Sequence, residues 1–114
     1  MNPNQIIFAP AAEREIKKLN KQKQTAVATI LRKFRDSSET INLEKIKGHP
    51  SYFRIKAKED MRIIFHPLNG RRVVILVVRD RKDAYRGLDA LDSKLEAALN
   101  RIQEEAEKHI VSIR

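Results

Sequence analysis

Apolar residues along this chain change period several times, and each change marks an element. Residues 5–9 (QIIFA) form a short apolar run that reads as a strand. Pro10 stops it and suits the first position of a helix. From 11 to 19 the pattern is helical, with Ile16 and Leu19 on one side and Glu13, Arg14, Lys17 and Lys18 facing water. Asn20 is expected to end that helix in a left-handed conformation. A second helix is expected over residues 21–35, where Val27, Ile30, Leu31 and Phe34 fall at i, i+3, i+4 and i+7. Two short helices joined by a tight turn predict an antiparallel hairpin with one apolar side.

Residues 36–42 (DSSETIN) are polar and read as a loop. Leu43 and Ile46 lie in a short mixed segment, LEKIK, which Gly48, His49 and Pro50 break off. The period then becomes two. Phe53, Ile55 and Ala57 alternate with Arg54, Lys56 and Lys58; Met61, Ile63 and Phe65 alternate with Arg62, Ile64 and His66. Glu59-Asp60 reads as a tight turn without glycine, and Asn69-Gly70 as a hairpin turn in which both residues take positive φ. Residues 73–78 are apolar throughout, which predicts a strand buried on both faces in the middle of a sheet, with the N-terminal strand beside it.

After Tyr85 the helical period returns. Leu88, Leu91, Leu95, Leu99, Ile102, Ala106, Ile110 and Ile113 recur at spacings of three and four, with no Gly or Pro between 88 and 114. The expected fold is α+β, an α/β two-layer arrangement. A small, mostly antiparallel sheet of about four strands packs on an N-terminal helical hairpin, and a long helix follows. Residues 1–86 form the expected domain. Residues 87–114 are an amphipathic helix that either joins that domain or serves as an interaction arm, including for homo-oligomerisation.

Charge narrows the partners. The 114 residues carry a net charge of +9. Residues 44–86 hold 12 Lys/Arg against 5 Asp/Glu, whereas residues 87–114 hold 4 against 6, so the positive field belongs to the strands. A sheet with an apolar face and a cationic face calls for a core behind and a polyanion in front. The absence of cysteine excludes disulfides and thiolate metal sites and suits a cytoplasmic protein; no metal or cofactor site is expected. No segment has the length and apolarity of a membrane span or signal peptide.

The order strand, helical hairpin, antiparallel strands resembles the RelE/ParE superfamily of bacterial toxins. FAPAAEREIKKL, LEKIKGHPSYFRIKAKEDMRIIF and VVILVVRDRKDAY carry the likeness, which covers residues 5–85. The chain departs from the family pattern at Met61, where a tyrosine usually precedes the arginine, and in lacking a glycine in the turn before it. The RelE branch cleaves mRNA in the ribosomal decoding site without a metal; the ParE branch poisons gyrase and lacks the catalytic set. The resemblance implies an mRNA interferase: Arg54 and Lys56 match the two alternating basic residues of the first central strand. Arg62 matches the arginine of the next strand, Arg79 or Arg81 the basic residue past the last strand, and Tyr85 the closing tyrosine. It also implies a small cognate antitoxin as partner, beside mRNA and the ribosome. The alternatives are a ParE-like toxin with a protein target and an inactive binding module.

Cleavage of this kind uses the ribose 2′-OH as nucleophile and needs a base, an acid and cations for the developing phosphorane charge. His49, His66 and His109 are too scattered for a paired-histidine ribonuclease. Tyr85 is the expected base, surrounded by Arg54, Lys56 and Arg62. Arg81 or Arg79 is the expected acid. Lys58 and Lys47 extend the phosphate-binding surface. Asp60 and Asp80 are rival ion-pair partners for Arg62, and Tyr85 has a second use as packing for the tail helix.

Overall fold

A computed structural model describes residues 2–36 and 41–113, with side chains through residue 108. Residues 37–40 of the expected loop, and Ile110 and Ile113 of the expected stripe, lie outside the described residues or side chains. Strand β1 is Gln5–Phe8, followed by helices α1 (Pro10–Lys17) and α2 (Lys21–Asp36). Four strands follow: β2 (Glu44–Ile46), β3 (His49–Lys56), β4 (Met61–Leu68) and β5 (Arg72–Asp80). A 3-10 turn at Leu88–Ala90 leads into α3 (Leu91–Ile113).

The strands form one sheet in the order β1-β5-β4-β3-β2. Strand β1 runs parallel to β5 and all other pairs are antiparallel. The fold is the expected α+β arrangement, with five strands where about four were expected. The additional one is β2: Gly48 at φ 81° turns the chain so that LEKIK pairs back along β3, and the break expected at His49 and Pro50 is instead the start of that strand.

Asn20 does not end α1 in a left-handed conformation. Its side-chain oxygen accepts from the Lys23 N–H (2.9 Å), so it caps the start of α2. Glu59 and Asp60, at φ 61° and 55°, form the glycine-free turn between β3 and β4. The next hairpin places Gly70 and Arg71 at positive φ rather than Asn69 and Gly70, a shift of one residue.

Both faces of the sheet are covered, by different helices. On the back, the hairpin buries Val27, Leu31 and Phe34 against Ile55, Met61, Ile63, Phe65, Val73, Ile75 and Val78. Phe34 lies 5.2 Å from Phe65 (ring centroids), which in turn stacks on Phe53 at 5.6 Å. On the front, Leu91 and Ala98 of α3 pack with Tyr52, Ile64, Val74, Leu76 and Val77. A bulge opposite the Ile64/Phe65 step brings both Leu76 and Val77 to this face. The front is therefore apolar beneath α3 and cationic only at one end.

Helix α3 is about 35 Å long at 1.5 Å per residue. Its first turns are seated by Leu91, by a Tyr52 hydroxyl bond to Asp92, and by an Arg101–Glu13 ion pair to α1. From Gln103 to Lys108 every side chain is exposed, so this part of the helix projects beyond the sheet. Among the described residues no helix is long and apolar enough to cross a membrane.

Candidate functional site

Strand register builds the cationic end. Lys56 pairs with Arg62, and Arg62 pairs with Arg79. Adjacent strands lie about 4.8 Å apart, so the three Cα atoms form a row roughly 10 Å long across β3, β4 and β5. Arg54 sits two residues before Lys56 on the same face, opposite Glu44 of β2.

After β5 the chain turns tightly. The N–H groups of Asp83 and Ala84 both donate to the Asp80 carbonyl at 2.9 Å, and Ala84 is fully buried. This turn brings Tyr85 back over the front face, where its ring packs against the cluster containing Ile64. Arg54 Nη1 donates to the Tyr85 hydroxyl at 2.9 Å, and the guanidinium lies 5.6 Å from the ring centroid. Tyr85 thus both packs and meets Arg54.

Glu44 completes the cluster. Its Oε2 accepts from Arg54 Nε at 3.1 Å and from Arg54 Nη2, and its Oε1 lies 3.8 Å from Lys56 Nζ. The Arg54 bond holds the Glu44 carboxyl below the usual carboxylate range. In return Glu44, and then Tyr85, push the Arg54 pKa up. Sequence pattern does not single out Glu44, because LEKIK shows only two apolar positions. The usable signal is the Lys47-Gly48 turn, which sets Glu44 across from Arg54.

The remaining basic residues part company. Arg62 is half-buried and donates to the Met61 carbonyl at 3.0 Å, with no carboxylate partner among the described residues. Its rival partner Asp80 is taken by Lys23 at 3.0 Å. Arg79 is bound by Glu15, which also accepts from the Val78 N–H at 3.1 Å, where β1 has ended and left β5 unpaired. Arg79 further donates to the carbonyls of Asp83 and Arg86 at 3.5 and 3.4 Å, so it braces the turn that carries Tyr85. Arg81 is exposed just past β5, its N–H on the Asp60 carbonyl at 2.8 Å. Lys58 lies in the β3–β4 turn, next to the row. Lys47 lies in the β2–β3 turn at the other end of β3, roughly 25 Å from Lys58, and is not brought to the cluster.

On the first turn of α3, Lys94 is half-buried near Arg79, Arg14 and Glu15; burial first, then the Arg79 charge, push its pKa down. Tyr52 is 5% exposed, and burial together with its bond to Asp92 pushes its pKa up to about 12. His66 Nδ1 lies 2.8 Å from the Ser51 carbonyl. Among the described residues no group of three or more His, Cys, Asp or Glu is placed to hold a metal. A cavity of about 790 Å³ opens near the back face between α2 and residues 56–59, away from Tyr85.

Comparisons with known proteins agree with this architecture. A family model described as the ParE toxin of the type II toxin-antitoxin system parDE matches residues 6–85. A mutant of the E. coli toxin RelE in the free state superposes with a TM-score of 0.56 at 19% identity, over 88% of this chain and 98% of that one. The RelBE2 toxin-antitoxin complex from Mycobacterium tuberculosis contains a chain with a TM-score of 0.55 at 22% identity, over 73% of this chain and 97% of that one. No curated protein matches the chain. The family match spans over two thirds of the sequence and takes in every element from β1 to the Tyr85 turn: the chain belongs to the ParE toxin family of type II toxin-antitoxin systems and has the RelE/ParE superfamily fold.

Proposed function

We propose that this toxin is an endoribonuclease that cleaves mRNA on the ribosome by 2′-OH attack on the adjacent phosphate, restrained by a cognate antitoxin. The observation that carries the reading is the bond between Tyr85 and Arg54 at the end of the Lys56–Arg62–Arg79 row. It joins a proton-transfer group to a track of cations, which are the two things that cleavage without a metal requires.

In this scheme the 2′-oxygen bonds to phosphorus, the bond to the 5′-oxygen breaks, and a cyclic phosphate and a free 5′-hydroxyl result. Tyr85 takes the 2′-OH proton as its phenolate, whose oxygen faces the Arg54 guanidinium. Lys56 and Arg62 stabilise the charge that develops on the phosphoryl oxygens. Arg79 is committed to Glu15 and to the 83–86 turn, so its part is to position Tyr85. Arg81, exposed and without a side-chain partner among the described residues, is the cation left to meet the leaving 5′-oxygen, which takes up a proton from Arg81 or from the water around it to become the 5′-hydroxyl. The toxin-antitoxin complex among the structural relatives supports the antitoxin as partner.

A second reading is a toxin with a protein target. The ParE family match favours it, as does Glu44, which neutralises part of the cationic end. Expression of the toxin alone separates the two. The nuclease reading expects codon-positioned mRNA cuts on translating ribosomes, reduced about 10²–10⁴-fold in Tyr85→Phe. Growth inhibition that persists in both Tyr85→Phe and Arg62→Ala would overturn it in favour of the protein target.

A further inference from the structure

Glu44 does more than balance charge. Its two carboxylate oxygens reach different cations, Oε2 to Arg54 and Oε1 to Lys56, which is how a phosphate would bridge the same pair. Its side chain is 36% exposed and that of Arg54 29%, so an incoming anion reaches both. Arg62, the next cation in the row, meets no carboxylate among the described residues. Both ends of the row are therefore occupied by internal anions, Lys56 by Glu44 and Arg79 by the less exposed Glu15, and the middle is open.

We propose that Glu44 is a built-in competitor for the substrate phosphate, which must displace it from Arg54 and Lys56 before RNA seats. This rests on the reading that the cationic row takes an RNA backbone. Both anions need the same guanidinium edge, and two negative groups brought together there repel. A short free strand, held through only a few phosphates, spends part of its binding energy on breaking the Glu44 pair. A strand presented with additional binding energy overcomes the same cost. Glu44 thus sets a threshold against loose RNA, and its strand β2, at the sheet edge, provides room for the displaced side chain.

The test measures binding of a single-stranded 2′-deoxy oligonucleotide, which lacks the nucleophile and separates binding from cleavage. Glu44→Gln keeps the side-chain shape and is compared with Glu105→Gln, an exposed α3 position that changes net charge equally. Glu44→Gln is expected to bind about tenfold tighter than wild type, and Glu105→Gln less than about twofold. The slope of log K against log salt is expected to steepen in Glu44→Gln by roughly 0.7 for each additional phosphate that is neutralised. Equal tightening in the two variants would overturn the proposal. Arg62→Ala distinguishes the levels of failure. If it weakens binding while Glu44→Gln changes nothing, only the competitor role falls. If it too leaves binding unchanged, the RNA reading of the row falls, and this proposal with it.

Discussion

The seating of α3 rests on a buried phenol, and its titration can be followed directly. Tyr52 is 5% exposed and donates to Asp92 on the first turn of α3. Its pKa moves from 10.0 to about 12, first through burial and then through the Asp92 bond. The protonated phenol is favoured by the fold, so its contribution is complete below pH 10 and is lost as pH rises toward 12. Two units correspond to about 2–3 kcal/mol, lost at about 1.4 kcal/mol per pH unit.

The chain has two tyrosines, so Tyr85→Phe leaves Tyr52 as the sole phenol. Phenolate absorbance of that folded variant is expected to rise with a midpoint near 12. Urea unfolding of Tyr85→Phe and of the Tyr52→Phe/Tyr85→Phe double variant, compared at each pH, cancels the lysines that titrate in the same range. The stability difference between the two should be constant below pH 10 and shrink above it. A midpoint near 10 in the folded protein, or a difference that stays constant to pH 12, would refute a buried, carboxylate-bound Tyr52.

Other expectations follow from the same structure. Arg62→Ala should leave stability within about 0.5 kcal/mol, because the side chain bonds only one carbonyl, while flattening the salt dependence of RNA binding by roughly 0.7 for each phosphate no longer neutralised. Glu15→Ala should cost about 2–4 kcal/mol in urea unfolding, since it strips partners from both Arg79 and the Val78 N–H. A stability near wild type would show that the Arg79 brace is not needed. Phe34→Ala should cost about 3–5 kcal/mol, as Phe34 is 1% exposed at the centre of the back core. Gly87→Ala should cost about 1 kcal/mol by calorimetry, because φ there is +68° with open space around the added methyl.

How much was legible in the sequence depended on the range of the forces involved. Elements follow from local periodicity: the stripe of Val27, Ile30, Leu31 and Phe34, the alternation around Ile55 and Ile63, and the apolar run 73–78 each name their own structure. Arg54, Lys56 and Arg62 share a face by alternation alone, and that much of the site was readable. Turn details differed, by one residue at Gly70-Arg71 and by the role of Asn20, because Asn20, Asn69 and Arg71 each tolerate more than one local role and the surrounding packing chooses between them. What tertiary structure alone decided was pairing. Only the register of β2 on β3 sets Glu44 on Arg54, only the end of β1 leaves the Val78 N–H for Glu15 to cap and so occupies Arg79, and only the 81–86 turn carries Tyr85 to Arg54. Side-chain type is written in the chain position by position, but which charges neutralise each other depends on residues ten to sixty-four positions apart, and local pattern holds no record of those meetings.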